Sequence, residues 1–424
     1  MQEYALAFLA KVAENIQPGV SASERALLET NRQLLSQATA IIVLLGGKAG
    51  RLGECVVGTA LLTGTLEALR WLKKEGTPIH ILIDTDAADL FLPESYQQTY
   101  WSPITIHRCQ RPLQDVKAIP ITLPETEAER VVVLDLHGAH DGLPYLAIVD
   151  DENIDTCTDA NGSLPQTAEA SLAILGRLFR VGIRNYAQRG PERRYADYIE
   201  DLFALPHEAL DTLAIQPSIL LTDDEMRYQQ LMADWQIDPA VFKVVCIFQS
   251  VVLAKCYEKW DEVMDLICQH FAQRIPHKKI EFLVLCGPDK DLPSGFTKPD
   301  IAEWLQDYTG VEQNAHVTIQ STQSLRDLAI VIQHAELALS NDTGPGHIAG
   351  ALKIPTIVPY LPGNIYAKSI WASTPWHRGV TLEPNPYSYQ QLEAAVIWGK
   401  TDIIDSIDPA SIYKEVEPYL PTGN

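Results

Sequence analysis

Three things are scarce in this 424-residue chain: long apolar runs, paired cysteines and basic residues. No hydrophobic stretch approaches the ~18–20 residues that a membrane-spanning helix needs. The opening segment MQEYALAFLAKVAENIQ has no cationic leader, and Lys11 interrupts its only apolar stretch, so no signal peptide is expected. The seven cysteines (55, 109, 157, 246, 256, 268 and 286) are odd in number, scattered, and form no C-x-x-C pair. That pattern argues against a disulfide framework or a zinc site and fits reduced thiols in a cytoplasm. Cys55 and Cys256 stand beside the motifs described below, where each reads as a small core hydrophobe. Lys and Arg number 33 against 55 Asp and Glu, a formal net charge of −22. A nucleic-acid binder, or a protein held on anionic lipid by its overall charge, would need a basic face instead.

What is present is an ordinary globular composition, 46% hydrophobic and 21% charged. A single core rarely grows beyond ~250–300 residues, so two domains are expected. Residues 1–39 read as a helical extension, with Ser21 or Ser23 able to cap ERALLETNRQLLSQ. From residue 40, continuous apolar strands alternate with helical segments: AIIVLL (40–45), a helix over 54–75, IHILID (79–84), then RVVVLDLHG (130–138), which ends in polar residues. Strands apolar on both faces imply a parallel sheet covered by helices. A stretch over 151–240 reads as helical and arginine-bearing, with a hinge near IQPSILLTDDE (215–225). The alternation then restarts at VFKVVCIF (241–248) and runs through EFLVLCG (281–287), HVTI (316–319), LALS (337–340) and PTIVPY (355–360). The expected fold is α/β, with two doubly wound Rossmann-like domains facing across a cleft and a ligand at the carboxyl ends of their strands. The expected division is 1–39, 40–215, 216–400 and a terminal helix over 401–424.

Two segments carry chemistry. In LALSNDTGPGHIAG (337–350) a strand runs into the turn Asn341-Asp342-Thr343-Gly344, and Pro345 stands where a helix can begin, with Thr343 as its cap. Unbonded amides at the start of that helix suit a phosphate, Gly344 and Gly346 permit close approach, and His347 can donate to an oxygen. An ordinary capped helix with an idle histidine is the plain alternative. In GGKAGRLGECVVGTALL (46–62) the glycine spacing fits neither a dinucleotide fingerprint nor a P-loop. It does set one carboxylate, Glu54, at a helix start, where it can act as a general base or simply complement the helix dipole. Six arginines, at 177, 180, 184, 189, 193 and 194, form a cluster that suits either a solvated helix face or an anionic pocket.

The two segments together, Lys48-Ala-Gly-Arg-Leu-Gly53-Glu54 and Asp342-Thr343-Gly344-Pro-Gly-His347, resemble the ADP-heptose:lipopolysaccharide heptosyltransferase family, glycosyltransferase family nine. The similarity extends over about 40–400 and includes VVVLDLHG (131–138) and RRYADYIEDLFALP (193–206). This bacterial family implies a GT-B fold with an N-terminal acceptor domain, a C-terminal donor domain and a C-terminal helix that crosses back. It also implies metal-independent inverting transfer from a nucleotide-diphosphate sugar to a saccharide or glycolipid acceptor, with no bound cofactor. The resemblance puts the phosphate-contacting hydroxyl and lysine on Ser250 and Lys255 of FQSVVLAKCYEKW, beside Asp342, Thr343, Gly344, Gly346 and His347. Candidate acceptor contacts are Lys48, Arg51, His137, Arg193 and Arg194, and no metal ligand is expected.

The chain departs from the family where Glu54 replaces the catalytic aspartate. It departs again at Ala139-His140-Asp141, after the DLHG strand, and at Cys286-Gly287-Pro288-Asp289-Lys290, where a nucleoside-binding glutamate is usual. Asp342 is expected to orient its loop or a sugar hydroxyl, since as a base it would repel the diphosphate. The alternatives are a nucleotide-sugar epimerase or hydrolase on the same fold, for which Asp135 and Asp342 are the only further carboxylates in view, and a non-catalytic sugar-nucleotide binder.

Overall fold

The structure is a computed structural model that describes residues 40–45, 52–74, 76–84, 87–109, 131–135, 146–149, 178–181, 216–222, 224–288, 292–306, 315–362 and 374–422. The chain divides into two compact units between residues 222 and 223.

The first unit contains β1 (Ala40–Leu45), α1 (Leu52–Trp71), β2 (Ile79–Asp84), α2 (Pro93–Tyr100), β3 (Ile104–Cys109), β4 (Val131–Asp135), β5 (Leu146–Val149) and β6 (Leu178–Val181). Strands β3-β2-β1-β4 form a parallel sheet in that order, with Ile41 opposite Ile79 on one side and Val132 on the other. The continuous apolar run of β1 follows from this central place, since helices cover both faces of such a sheet. Helix α1 is buried along most of its length, so its polar side chains need internal partners. Thr59 Oγ1 donates to Val56 O and accepts from Ser218 N at 2.8 Å, and Tyr96 OH on α2 donates to Ser218 O. These bonds tie the segment after residue 216 to the helices of its own unit. The 151–240 stretch is not wholly helical: β6 lies within it and pairs antiparallel with β5, Ile148 opposite Phe179. Its runs LAIV and LFRV are too short for helical periodicity to be told from strand.

The second unit contains α3 (Glu225–Asp234), β7 (Phe242–Ile247), α4 (Trp260–Arg274), β8 (Ile280–Leu285), α5 (Lys298–Gln306), β9 (Ala315–Gln320), α6 (Leu325–Gln333), β10 (Leu337–Ser340), α7 (Gly344–Ala351), β11 (Thr356–Pro359), β12 (His377–Val380), α8 (Tyr389–Trp398) and α9 (Pro409–Val416). Its sheet has the order β12-β11-β10-β7-β8-β9 and every pairing is parallel. All residues of β7, β8, β10 and β11 are buried, which explains strands with no polar alternation. Chain order turns outward in both directions from the β7–β10 pair, and in open α/β sheets ligands bind beyond the carboxyl ends at such a point.

The terminal segment packs within this unit. Helix α9 lies against α4, where His270 bonds Tyr413 OH and Pro421 O, each at 3.1 Å. Residues 399–407 brace the loop after β7: Gly399, at positive φ, sits against Leu253, and Tyr257 OH donates to Ile407 O. Glu258 N donates to Asp405 Oδ1 at 2.8 Å in the same brace.

Helix α7 is seated on β10 through Gly346. A Cβ there would overlap Ser340 Oγ, which is itself fixed by donating to Asn341 O at 2.7 Å. Gly346→Ala is therefore expected to destabilise the protein by about 1–3 kcal/mol through overpacking, read from the urea unfolding midpoint.

Candidate functional site

The carboxyl ends of β7 and β10 carry two loops whose side chains interlock. Asn341 follows β10 and is fully buried. Its amide N–H donates to Ile247 O, and its Nδ2 donates to Phe248 O at 2.6 Å. Its Oδ1 accepts from Tyr257 N and from the Trp260 indole, both at 3.1 Å. One side chain thus joins the end of β7, the following loop and the start of α4. Trp260 is held from its other sides by stacking on Phe248 at 5.4 Å and by an edge contact with Tyr257 at 5.3 Å. Gln249 makes a similar bridge toward β8: its Oε1 accepts from Gly287 N at 2.7 Å and its Nε2 donates to Phe296 O at 3.0 Å.

On this frame the structure brings Lys255, Asp342 and His347 together. Lys255 ends a short 3₁₀ turn, Leu253–Lys255, and is buried. Its Nζ lies 2.7 Å from Asp342 Oδ2, and His347 Nε2 lies 3.5 Å from Oδ1 of the same carboxylate. Burial alone would raise the pKa of Asp342, but the Lys255 ammonium and His347 outweigh it and hold the carboxyl well below the usual carboxylate range. Asp342 is therefore bonded to Lys255 and His347, the two groups expected to meet phosphate.

Ser250 is buried on the same loop as Lys255, and its Oγ accepts from Val252 N at 3.3 Å. Thr343 takes the N-cap position of α7 with extended backbone, yet its hydroxyl makes no capping bond. The expected Thr343 cap is corrected accordingly. Pro345 in the first turn has no N–H to satisfy, and the remaining first-turn amides at Gly344 and Gly346 belong to an end that attracts anions. Gly344 is half-buried, and Gly346 is required by the contact with Ser340.

Glu54 falls in the first turn of α1, following β1, and only its backbone is described. Lys48, Arg51, His137, Arg193 and Arg194 lie outside the described residues, as do residues 1–39. Cys55 and Cys256 are buried thiols, and burial pushes Cys256 up to about 12, in keeping with core roles. Among the described residues no group of three or more His, Cys, Asp or Glu side chains could hold a metal ion. No helix among them is long and apolar enough to cross a membrane.

The sequence reading missed Gln249, Tyr360 and His377, and gave Asn341 no task. Asn341 had a signal, being a polar residue between an apolar strand and a glycine turn. Tyr360 and His377 had none, because what joins them is strand pairing between β11 and β12.

Residues 166–365 match the model of the family described as glycosyltransferase family 9 (heptosyltransferase), just under half of the chain. No curated protein matches the chain at a significant level. Among solved structures, a family 9 glycosyl transferase from Veillonella parvula is similar with a TM-score of 0.52 and 16% identity, covering 90% of this chain and 97% of that one. ADP-heptose LPS heptosyltransferase II from E. coli is similar with a TM-score of 0.51 and 12% identity, over 90% of this chain and 98% of that one. The α/β class with parallel sheets expected from the sequence stands, and these structural relatives are GT-B glycosyltransferases.

The carboxyl of Asp342 stays ionised in the folded protein at pH values where an unfolded aspartate, with a pKa near ~3.9, is protonated. Its contribution to stability is therefore complete at neutral pH and is withdrawn as pH falls below about 4. Unfolding midpoints measured between pH 2 and 7 should show a shallower acid slope in Asp342→Asn than in the wild type.

Proposed function

We propose that this glycosyltransferase family 9, heptosyltransferase-like chain moves a sugar from a nucleotide-diphosphate donor to a saccharide-type acceptor hydroxyl, with inversion at the anomeric carbon. The observation that carries the reading is the meeting of Lys255, His347 and the start of α7 at one strand edge. A sugar-nucleotide bond breaks with negative charge gathering on the departing diphosphate. An ammonium, an imidazole and first-turn amides, fixed before the reaction, stabilise that charge without reorganising. They supply what a divalent metal supplies in other transferases, so transfer is proposed to need none. The second unit is accordingly the donor domain and the first the acceptor domain.

Glu54 is the proposed base. It takes the acceptor hydroxyl proton as that oxygen attacks the anomeric carbon, and the bond to the diphosphate breaks on the opposite side. Lys48, Arg51, His137, Arg193 and Arg194 are the proposed acceptor contacts. An ADP-sugar is the first donor to try, since the E. coli relative is an ADP-heptose transferase. The scattered thiols support a cytoplasmic site of action.

The test is product analysis with nucleotide-diphosphate sugars, with and without saccharide acceptors. Transfer consumes donor only when an acceptor is present; epimerisation or hydrolysis proceeds without one, and a silent binder yields no product. Glu54→Gln should lower turnover by about 10²–10⁴-fold with donor affinity nearly intact. Wild-type turnover in that variant would move the base elsewhere. EDTA should leave the rate unchanged, and loss of activity restored by magnesium or manganese would overturn the metal-free reading.

A further inference from the structure

Two buried polar side chains on β12 and at the end of β11, the strands that extend the sheet outward from β10, take no part in the chemistry proposed above. Tyr360 directly follows β11 and His377 opens β12, with relative exposures of 1% and 3%. Their polar atoms, Tyr360 OH and His377 Nε2, are 2.9 Å apart. Strands β11 and β12 pair with Thr356 opposite His377, so Tyr360 lies further along its strand and its ring reaches back across the register. Burial holds the Tyr360 phenol well above its ordinary pKa and the His377 imidazole well below its own, so the pair is uncharged at neutral pH. Both feel the Asp342 charge, and His377 also feels His347. The residue before His377 is tied to α7 by its side chain: the Trp376 indole donates to Gly350 O at 2.8 Å, and Lys353, just past that helix, sets its Nζ 5.7 Å from the centre of the Trp376 ring.

A neutral pair matters here because the alternatives are costly. An imidazolium at 377 would oppose His347 and compete with Lys255 for Asp342. An unbonded phenol or imidazole so deeply buried would lose its hydration with nothing in exchange. The hydrogen bond gives the phenol and one ring nitrogen a partner, at the end of β11, which pairs with β10 (Leu339 opposite Ile357) and so runs alongside the strand that leads into Asp342.

We propose that Tyr360 and His377 are positioning residues for the diphosphate site: their hydrogen-bonded pair fixes the end of β11 alongside the strand that leads into Asp342, and thereby aims Lys255 and His347 at the phosphates. This rests on the reading of Lys255 and His347 as diphosphate contacts. Neither side chain touches the phosphates, and their influence passes through Asp342 and His347.

The experiment measures ADP binding by titration calorimetry, and melting temperature, for the wild type, Tyr360→Phe, His377→Gln, their double variant and Lys255→Gln. Each single variant of the pair should weaken ADP about three- to tenfold, the scale of one hydrogen bond. The double variant should weaken it no further than the worse single, because the two act as one unit. In turnover assays the donor KM should rise while the acceptor KM stays put, a split that a loss of folded protein would not produce. Unchanged ADP affinity in folded Tyr360→Phe, alongside weakened binding in Lys255→Gln, overturns this inference alone. Unchanged affinity in Lys255→Gln overturns the diphosphate reading beneath it. Additive losses in the double variant, or a loss seen only as lower binding stoichiometry, also overturn the proposal. If His377→Gln does not fold, Tyr360→Phe decides, since it removes a single oxygen.

Discussion

The ion pair between Lys255 and Asp342 sets the terms for everything around it in the second unit. Both side chains are nearly excluded from water, and a buried charge left without its partner costs several kcal/mol, on the order of 3–5 when one member is removed. The loop after β7 and the turn after β10 must therefore close on each other with little latitude. Asn341 secures that closure from the backbone side, spending its side-chain amide on Phe248, Tyr257 and Trp260. Residues 399–407 secure it from outside by packing on Leu253 and accepting from Glu258 N and Tyr257 OH. The C-terminal segment thus serves the site by stiffening the turn that presents Lys255.

The same closure shapes the electrostatics. A chain with a net charge of −22 has few cations to place, and it buries one of them where two loops meet the start of a helix. Asp342 balances Lys255 and His347 and orders them, while the helix dipole adds partial positive charge that no acidic side chain in the first turn offsets. Preorganisation of this kind is what a reaction with a charged leaving group needs, because the ordering cost falls on folding and not on the chemical step. Gly346 belongs to the same design, since contact with Ser340 brings the helix start onto the strand end.

The first unit works by a plainer rule. Its helix α1 is apolar nearly all round, and Thr59, one of the threonines that interrupt it, bonds to neighbouring backbone. Glu54 falls in the first turn of this helix, which follows β1 of a parallel sheet in the chain.

The α/β class and the rhythm of strands in the second unit were legible in the sequence because they are local. Runs such as VFKVVCIF, EFLVLCG and LALS are apolar on both faces apart from Lys243, Glu281 and Ser340, which only a sheet covered on both faces accommodates, and β7, β8 and β10 lie where those runs stand. The start of α7 was legible for the same reason, Gly, Pro and a preceding Thr being local signals, although the Thr343 hydroxyl does not make the bond its position suggested. The resemblance drew Lys255 and Asp342 into one site, but that they neutralise each other depends on two loops far apart in the chain. The short strands β5 and β6 escaped because four residues carry too little period to distinguish strand from helix. Tyr360, His377, Gln249 and the task of Asn341 were decided only in three dimensions, where strand order and loop packing choose which buried polar atoms meet. Sequence alone determined which segments could be buried and where helices could start; tertiary structure decided which buried polar groups share a hydrogen bond, because pairing depends on register and packing between segments far apart in the chain.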